Sequence, residues 1–202
     1  MIAIIDYGLG NLRSVKYALD RLGVASELTD QAGPLESADA VILPGVGAFG
    51  EAMENLRRLK LVEPIRAVAR QKPFLGICLG MQLLFTTSSE HGLHLGLDIV
   101  PGEVVRFAEG LTVPHMGWNQ VEQAAKSPLF EGVADGAYFY FAHSYFCRPT
   151  EPSAAIGVTE YGGKYASTVQ SGSVFGTQYH PEKSGPVGLA MLANFCRLGR
   201  KT

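Results

Sequence analysis

The sequence predicts an α/β fold with a largely parallel central sheet and additional antiparallel strands in its second half. Two observations carry that prediction. In the first half, short apolar strands alternate with helical patterns, as in a parallel sheet covered on both faces. From Gly102 the signal turns mostly extended, in β-branched and aromatic segments separated by turn residues, before one closing helix.

The elements follow in order. Ile2 to Asp6 reads as a short apolar strand. After "GLGN", Asn11 is placed to cap a helix whose Leu12, Val15, Leu19 and Leu22 recur at helical spacing up to Gly23. Ala25 to Leu28 is a weak strand and "AVILPG" from Ala40 a stronger one. Helical pattern runs from about Ala48 through Arg70, with a break expected near Pro64. "FLGI" is the next strand, followed by a helix carrying Met81 to Phe85. In the second half, "EVVRF", "AYFYFAHSYF", "AAIGVTEY", "YASTVQSG" and "SVFGTQYH" read as strands. The last helix has Pro186 near its start and Leu189, Leu192 and Phe195 on one face. No internal repeat or linker interrupts the chain, and a single domain, 1–202, is expected.

Composition narrows the function. With 47% hydrophobic residues in 202, the chain can bury a full core. Seventeen basic against nineteen acidic residues, without a run of either sign, give no footprint for nucleic acid. The three cysteines, Cys78, Cys147 and Cys196, are widely spaced and form no C-x-x-C pair, so a disulfide framework and a zinc site are both disfavoured. "MIAIIDYG" lacks the form of a signal peptide and no segment reaches membrane-spanning length. A soluble cytoplasmic protein with no metal or other cofactor is expected.

Within "FLGICLGMQLLF", Cys78 stands between Gly76 and Gly80 where strand pattern gives way to helix. G-x-C-x-G at such a junction has the form of a nucleophile elbow, a tight turn that lifts the side chain above the strand ends. The helix start favours a thiolate, and the Leu79 N–H is a natural oxyanion donor. The plainer alternative is a buried core cysteine.

A nucleophile needs a base. His91 and His94 lie in a polar stretch without a third metal ligand. His115 and His143 sit among apolar residues, where a structural role is the default. His180 ends an extended run with Glu182 two residues on, so both side chains would share one face of extended backbone. A carboxylate there can fix the imidazole tautomer and support its positive charge. In "VILPGVGAFG", the loop at Val46 and Gly47 could approach a reacting carbonyl and offer a second N–H, the alternative being a plain glycine turn.

Taken together, "GICLGMQ" and "HPE" resemble the class I (triad) glutamine amidotransferases over essentially the whole chain. "DYGLGN", "PGVGAFG", "PHMGWN" and "HPEKSG" are similar to the branch of that family serving histidine biosynthesis. The resemblance implies a three-layer fold and hydrolysis of L-glutamine to L-glutamate through a cysteine thioester, with Cys78, His180 and Glu182 catalytic and Leu79, Val46 and Gly47 around the oxyanion. It implies that Gln82 and Glu90, with backbone at Ser144 and Tyr145, hold the amino-acid end of the substrate. It further implies a heterodimer with a cyclase subunit, a (βα)8 barrel that takes the ammonia, with Asn11, Trp118 and Lys183 at or near the junction. The alternatives for these three are a helix cap, a half-buried anchor and a solvated charge, and for Gln82 surface solvation. The neighbouring functions are the glutaminase subunits of anthranilate or aminodeoxychorismate synthase, and a cysteine peptidase.

Overall fold

In the computed structural model, which describes residues 1–199, the first half folds as β1 (Ile2–Ile5), α1 (Leu12–Arg21), β2 (Ser26–Thr29), α2 (Ala32–Ser37), β3 (Ala40–Gly45), α3 (Phe49–Arg58), α4 (Val62–Ala69), β4 (Phe74–Cys78) and α5 (Leu79–Leu83). Positions 200–202, the end of the expected 1–202 domain, lie outside the described residues. The second half adds β5 (Phe85–Ser88), β6 (His94–Leu95), β7 (Val100–Arg106), β8 (His115–Gln123), β9 (Ala137–His143), β10 (Tyr145–Pro149), β11 (Ala155–Glu160), β12 (Lys164–Ser171), β13 (Val174–Thr177) and α6 (Gly185–Leu198).

The sheet runs β2-β1-β3-β4-β13-β12-β10-β7-β5-β6, with β11, β8 and β9 branching from β12. The β2-β1-β3-β4-β13 portion is parallel, as is the β5 and β7 pair; the other pairings are antiparallel. Every residue of β1, β3, β4 and β13 is buried, which explains their unbroken apolar runs.

Period-two alternation divides those strands between two cores. Ala3, Ile5, Val41 and Leu43 face α3 and α4 through Phe49, Met53, Leu56 and Ile65. Ile2, Ile4, Ala40 and Ile42 face α1 and α6 through Val15, Leu19, Leu192 and Phe195. Helices thus cover both sides of the sheet, giving three layers.

Several boundaries differ from expectation. The helix break falls at Lys60, which has φ 57°, while Pro64 sits in the first turn of α4 where its missing N–H removes no helical bond. The helix expected to reach Phe85 stops at Leu83, because the Leu84 carbonyl instead accepts from the N–H groups of Ile99 and Val100 and Phe85 enters a ladder with β7. "PHMGWN" forms most of the start of β8, and "AYFYFAHSYF" is two strands divided at Ser144. "SVFGTQYH" leaves the ladder after Thr177 and continues toward the site, with the Gln178 N–H donating to Ser167 and that of His180 to Tyr140.

Candidate active site

The carboxyl ends of three parallel strands set the position of the site. In register, Gly45 of β3 lies beside Cys78, and Thr177 of β13 beside Ile77. Such strand ends are where an open parallel sheet offers a crevice. Cys78 is the last residue of β4 and the residue before α5, with φ 56° and ψ −111°. That is a strained conformation for a side chain other than glycine, worth roughly 1–3 kcal/mol.

The glycines make the turn sterically feasible. A Cβ at Gly80 would run into the Leu43 carbonyl, and one at Gly76 would crowd the Gly80 backbone. Leu79 begins α5, so its N–H has no partner within the helix. Across the strand tips, Gly47 has φ 106° in the loop that leaves β3.

His180 Nδ1 donates to Glu182 Oε1 at 2.8 Å, and the two side chains are only 3% and 1% exposed. Pro181–Lys183 forms a 3₁₀ turn, so the pair meets across a tight turn and not along extended backbone as expected. Burial by itself pushes the His180 imidazole down. The negative charge of Cys78 and hydrogen bonds to Cys78 and Glu182 outweigh that and hold it up, at about 10. The arrangement is therefore suited to an imidazolium at His180. Burial pushes the Cys147 thiol well up, and the nearby Cys78 charge adds to the effect.

Val46, Gly47, Cys78, Leu79, Gln82, Glu90, Ser144 and Tyr145 line one cavity of about 190 Å3, together with Pro114, Ala142 and His143. Gln82 is 5% exposed, so it is no surface residue. Its Nε2 donates to the Tyr145 carbonyl at 2.9 Å and to Gln178 Oε1 at 3.1 Å, leaving its own carbonyl oxygen as the group with capacity for a ligand. Glu90 Oε2 accepts from the Phe49 N–H at 2.7 Å, which fixes the carboxylate at the start of α3.

His115 and His143, read separately as structural, are partners. His115 Nδ1 and His143 Nε2 lie 3.2 Å apart, and His143 Nδ1 lies 2.7 Å from the Tyr145 carbonyl. A carbonyl only accepts, so Nδ1 carries the proton and Nε2 is the acceptor. Sequence reasoning did not single out Gln178. Its Nε2 lies 3.8 Å from Cys78 Sγ, and the same two-residue spacing that linked His180 to Glu182 could have flagged it on the other side of His180.

Of the residues expected at a partner junction, Trp118 and Lys183 meet at Tyr140. Trp118, 56% exposed, stands opposite Tyr140 in the β8 and β9 ladder, and the Lys183 ammonium lies 5.9 Å above the Tyr140 ring. The half-buried anchor and the purely solvated charge are thus replaced by an exposed ring and a cation over an aromatic face. Asn11 occupies the capping position of α1, but its Oδ1 accepts from the Ser14 hydroxyl at 2.9 Å in place of a helix N–H.

The sequence model of the glutamine amidotransferase class-I family matches residues 3–198. The chain is 56% identical over 200 residues to the imidazole glycerol phosphate synthase subunit HisH of Moorella thermoacetica, covering 98% of this chain and 95% of that one. It is 48% identical to the HisH subunit of Syntrophotalea carbinolica, with 96% and 98% covered. Among solved structures, a glutamine amidotransferase superposes with a TM-score of 0.78 at 20% identity over 98% and 99% of the chains. A PurLQS structure from Thermotoga maritima gives 0.76 at 18% identity over 97% of each.

Proposed function

This chain belongs to the class I glutamine amidotransferase family, and from that premise we infer that it serves as the glutaminase subunit of an imidazole glycerol phosphate synthase. It hydrolyses L-glutamine to L-glutamate and hands the ammonia to a cyclase partner. Its chemistry rests on Cys78, His180 and Glu182 as a triad in one domain, 1–202, in the cytoplasm.

The observation that carries this reading is the strained Cys78 at the cavity wall beside the buried His180 and Glu182 pair. The thiolate attacks the side-chain carboxamide carbon, forming a C–S bond and placing charge on the oxygen. The Leu79 N–H is one donor to that oxyanion, and the Val46 and Gly47 loop supplies the second. As the C–N bond breaks, the His180 imidazolium gives its proton to the departing nitrogen, which leaves as ammonia. His180 then takes a proton from water, whose oxygen attacks the thioester. The C–S bond breaks, glutamate leaves, and the thiolate and imidazolium are restored.

At the other end of the substrate, the Glu90 carboxylate and the Gln82 carbonyl oxygen accept from the α-ammonium, and backbone N–H groups at Ser144 and Tyr145 meet the α-carboxylate. Ammonia released into neutral water would become mostly ammonium and lose its nucleophilicity. The partner, a (βα)8 barrel in a heterodimer, therefore docks over the face bearing Trp118, Lys183 and Asn11. The test measures glutamate formed from glutamine by the chain alone and with a cyclase subunit. Release of glutamate, stimulated by the cyclase, is expected; no release with either would overturn the reading.

A further inference from the structure

We infer that Gln178 is an additional catalytic residue, donating an N–H to the Cys78 sulfur and holding it as the thiolate; this rests on the reading of Cys78 as the nucleophile. Gln178 is fully buried and directly follows Thr177, the residue of β13 that pairs with Ile77, the neighbour of Cys78.

The direction of its side-chain amide is set from a distance. The Tyr145 carbonyl can only accept, so Gln82 must turn its Nε2 toward it. The second N–H of that same Nε2 then reaches Gln178 Oε1 at 3.1 Å. With Oε1 committed, Gln178 presents Nε2 to Sγ at 3.8 Å, within the range of an N–H donor to sulfur. His143 Nδ1 donates to the same Tyr145 carbonyl at 2.7 Å and anchors the far end of the chain. A glutamine turned the other way would set its carbonyl oxygen against both the Gln178 oxygen and the Tyr145 oxygen.

A hydrogen bond to an ionised acceptor is stronger than one to a neutral group, so this donor acts when charge is on sulfur. It favours the resting thiolate and, equally, the thiolate expelled when water opens the thioester. It adds to the contribution of His180, which supports the same charge from the opposite end of the β13 extension. Other titratable groups coupled to Cys78 or sharing its cavity are Tyr7 after β1, Glu90 after β5, His143 at the end of β9, Tyr145 and Cys147 on β10 and Tyr165 on β12.

The experiment follows iodoacetamide alkylation of Cys78 against pH in the full chain, reading the modified peptide by mass spectrometry, for wild type, Gln178→Leu and Gln178→Met. Both substitutions keep approximate volume and remove the donor. The expected result is alkylation at pH 7 slowed about tenfold, with the profile displaced to higher pH and kcat for glutamine reduced. Two apolar shapes are used so that a folding failure of one leaves the other decisive, and melting curves accompany both. A lowered melting temperature with an unmoved alkylation profile would make Gln178 a packing residue and overturn the inference. Wild-type chain that alkylates at Cys78 yet hydrolyses no glutamine even with the cyclase present would instead defeat the assigned function and leave the sulfur contact standing.

Discussion

Glu182 Oε1 accepts from His180 Nδ1 at 2.8 Å, while its Oε2 is buried without a hydrogen-bond partner. The carboxylate is therefore answered almost wholly by one imidazole, and it holds the tautomer that leaves Nε2 for the sulfur. Replacing His180 with Ala removes the proposed proton carrier and is expected to lower kcat by about four orders of magnitude. Glu182→Gln retains an acceptor for Nδ1 but loses the charge, so a smaller loss of about tenfold to a hundredfold is expected. Steady-state glutaminase assays decide, and a Glu182→Gln enzyme with normal turnover would confine that residue to structure.

Cys78, the proposed nucleophile, also carries backbone strain. Cys78→Ala should abolish hydrolysis while keeping φ 56° occupied by a side chain. Cys78→Gly should abolish it as well, yet be more stable than Cys78→Ala by about 1 kcal/mol, because glycine accepts that conformation freely. Melting temperatures of the two variants compare them directly, and a less stable glycine variant would contradict the strain.

Two histidines should shape stability in opposite directions. Burial pushes His143 down to about 3, with the nearby His115 and His180 charges helping and its bond to the Tyr145 carbonyl opposing. Folded His143 stays neutral where the unfolded chain already takes up a proton, so stability falls as pH drops from about 6.5 toward 3. His180, held up at about 10 against the effect of burial by Cys78 and Glu182, keeps its proton where the unfolded chain has lost it. Its contribution is full below about 6.5 and drains away as pH rises toward 10. Each limb has a limiting slope of about 1.4 kcal/mol per pH unit. Denaturant titrations across pH should show His143→Gln flattening the acid limb, and an unchanged limb would count against the buried neutral imidazole.

Trp118 offers more than half its surface beside Tyr140 and Lys183. In the proposed heterodimer, Trp118→Ala should weaken cyclase binding by about thirtyfold or more, the effect of losing an aromatic anchor. The isolated chain should also be a slow glutaminase that the partner accelerates about a hundredfold or more, as the second oxyanion donor at Val46 and Gly47 is set. Calorimetry and rates with and without the cyclase test both. Undiminished binding by Trp118→Ala would move the interface elsewhere.

Much of this was legible in the sequence because local signals and tertiary roles coincided. The apolar runs of β1, β3 and β4 and the glycine-flanked Cys78 marked the parallel half and its elbow. Where tertiary bonding overrode local pattern, reading failed. Phe85 continues a helical apolar spacing, but its neighbour Leu84 is drawn into bonds with Ile99 and Val100. Pro64 looked like the breaker, yet Lys60 takes the left-handed turn. His180 and Glu182 were matched correctly for a geometry that is not the observed one, since two-residue spacing brings side chains together across a 3₁₀ turn as well as along a strand. The pairing of His115 with His143, and of Gln82 with Gln178, joins residues far apart in the chain, and no local period announces it.

The most direct measurement is peptide mass mapping of the chain acid-quenched during turnover of glutamine in the presence of the cyclase. A glutamyl thioester confined to the peptide containing Cys78, and missing from Cys78→Ala, is the predicted result. Glutamate production with no adduct on that peptide, or with the adduct on Cys147 or Cys196, would contradict it.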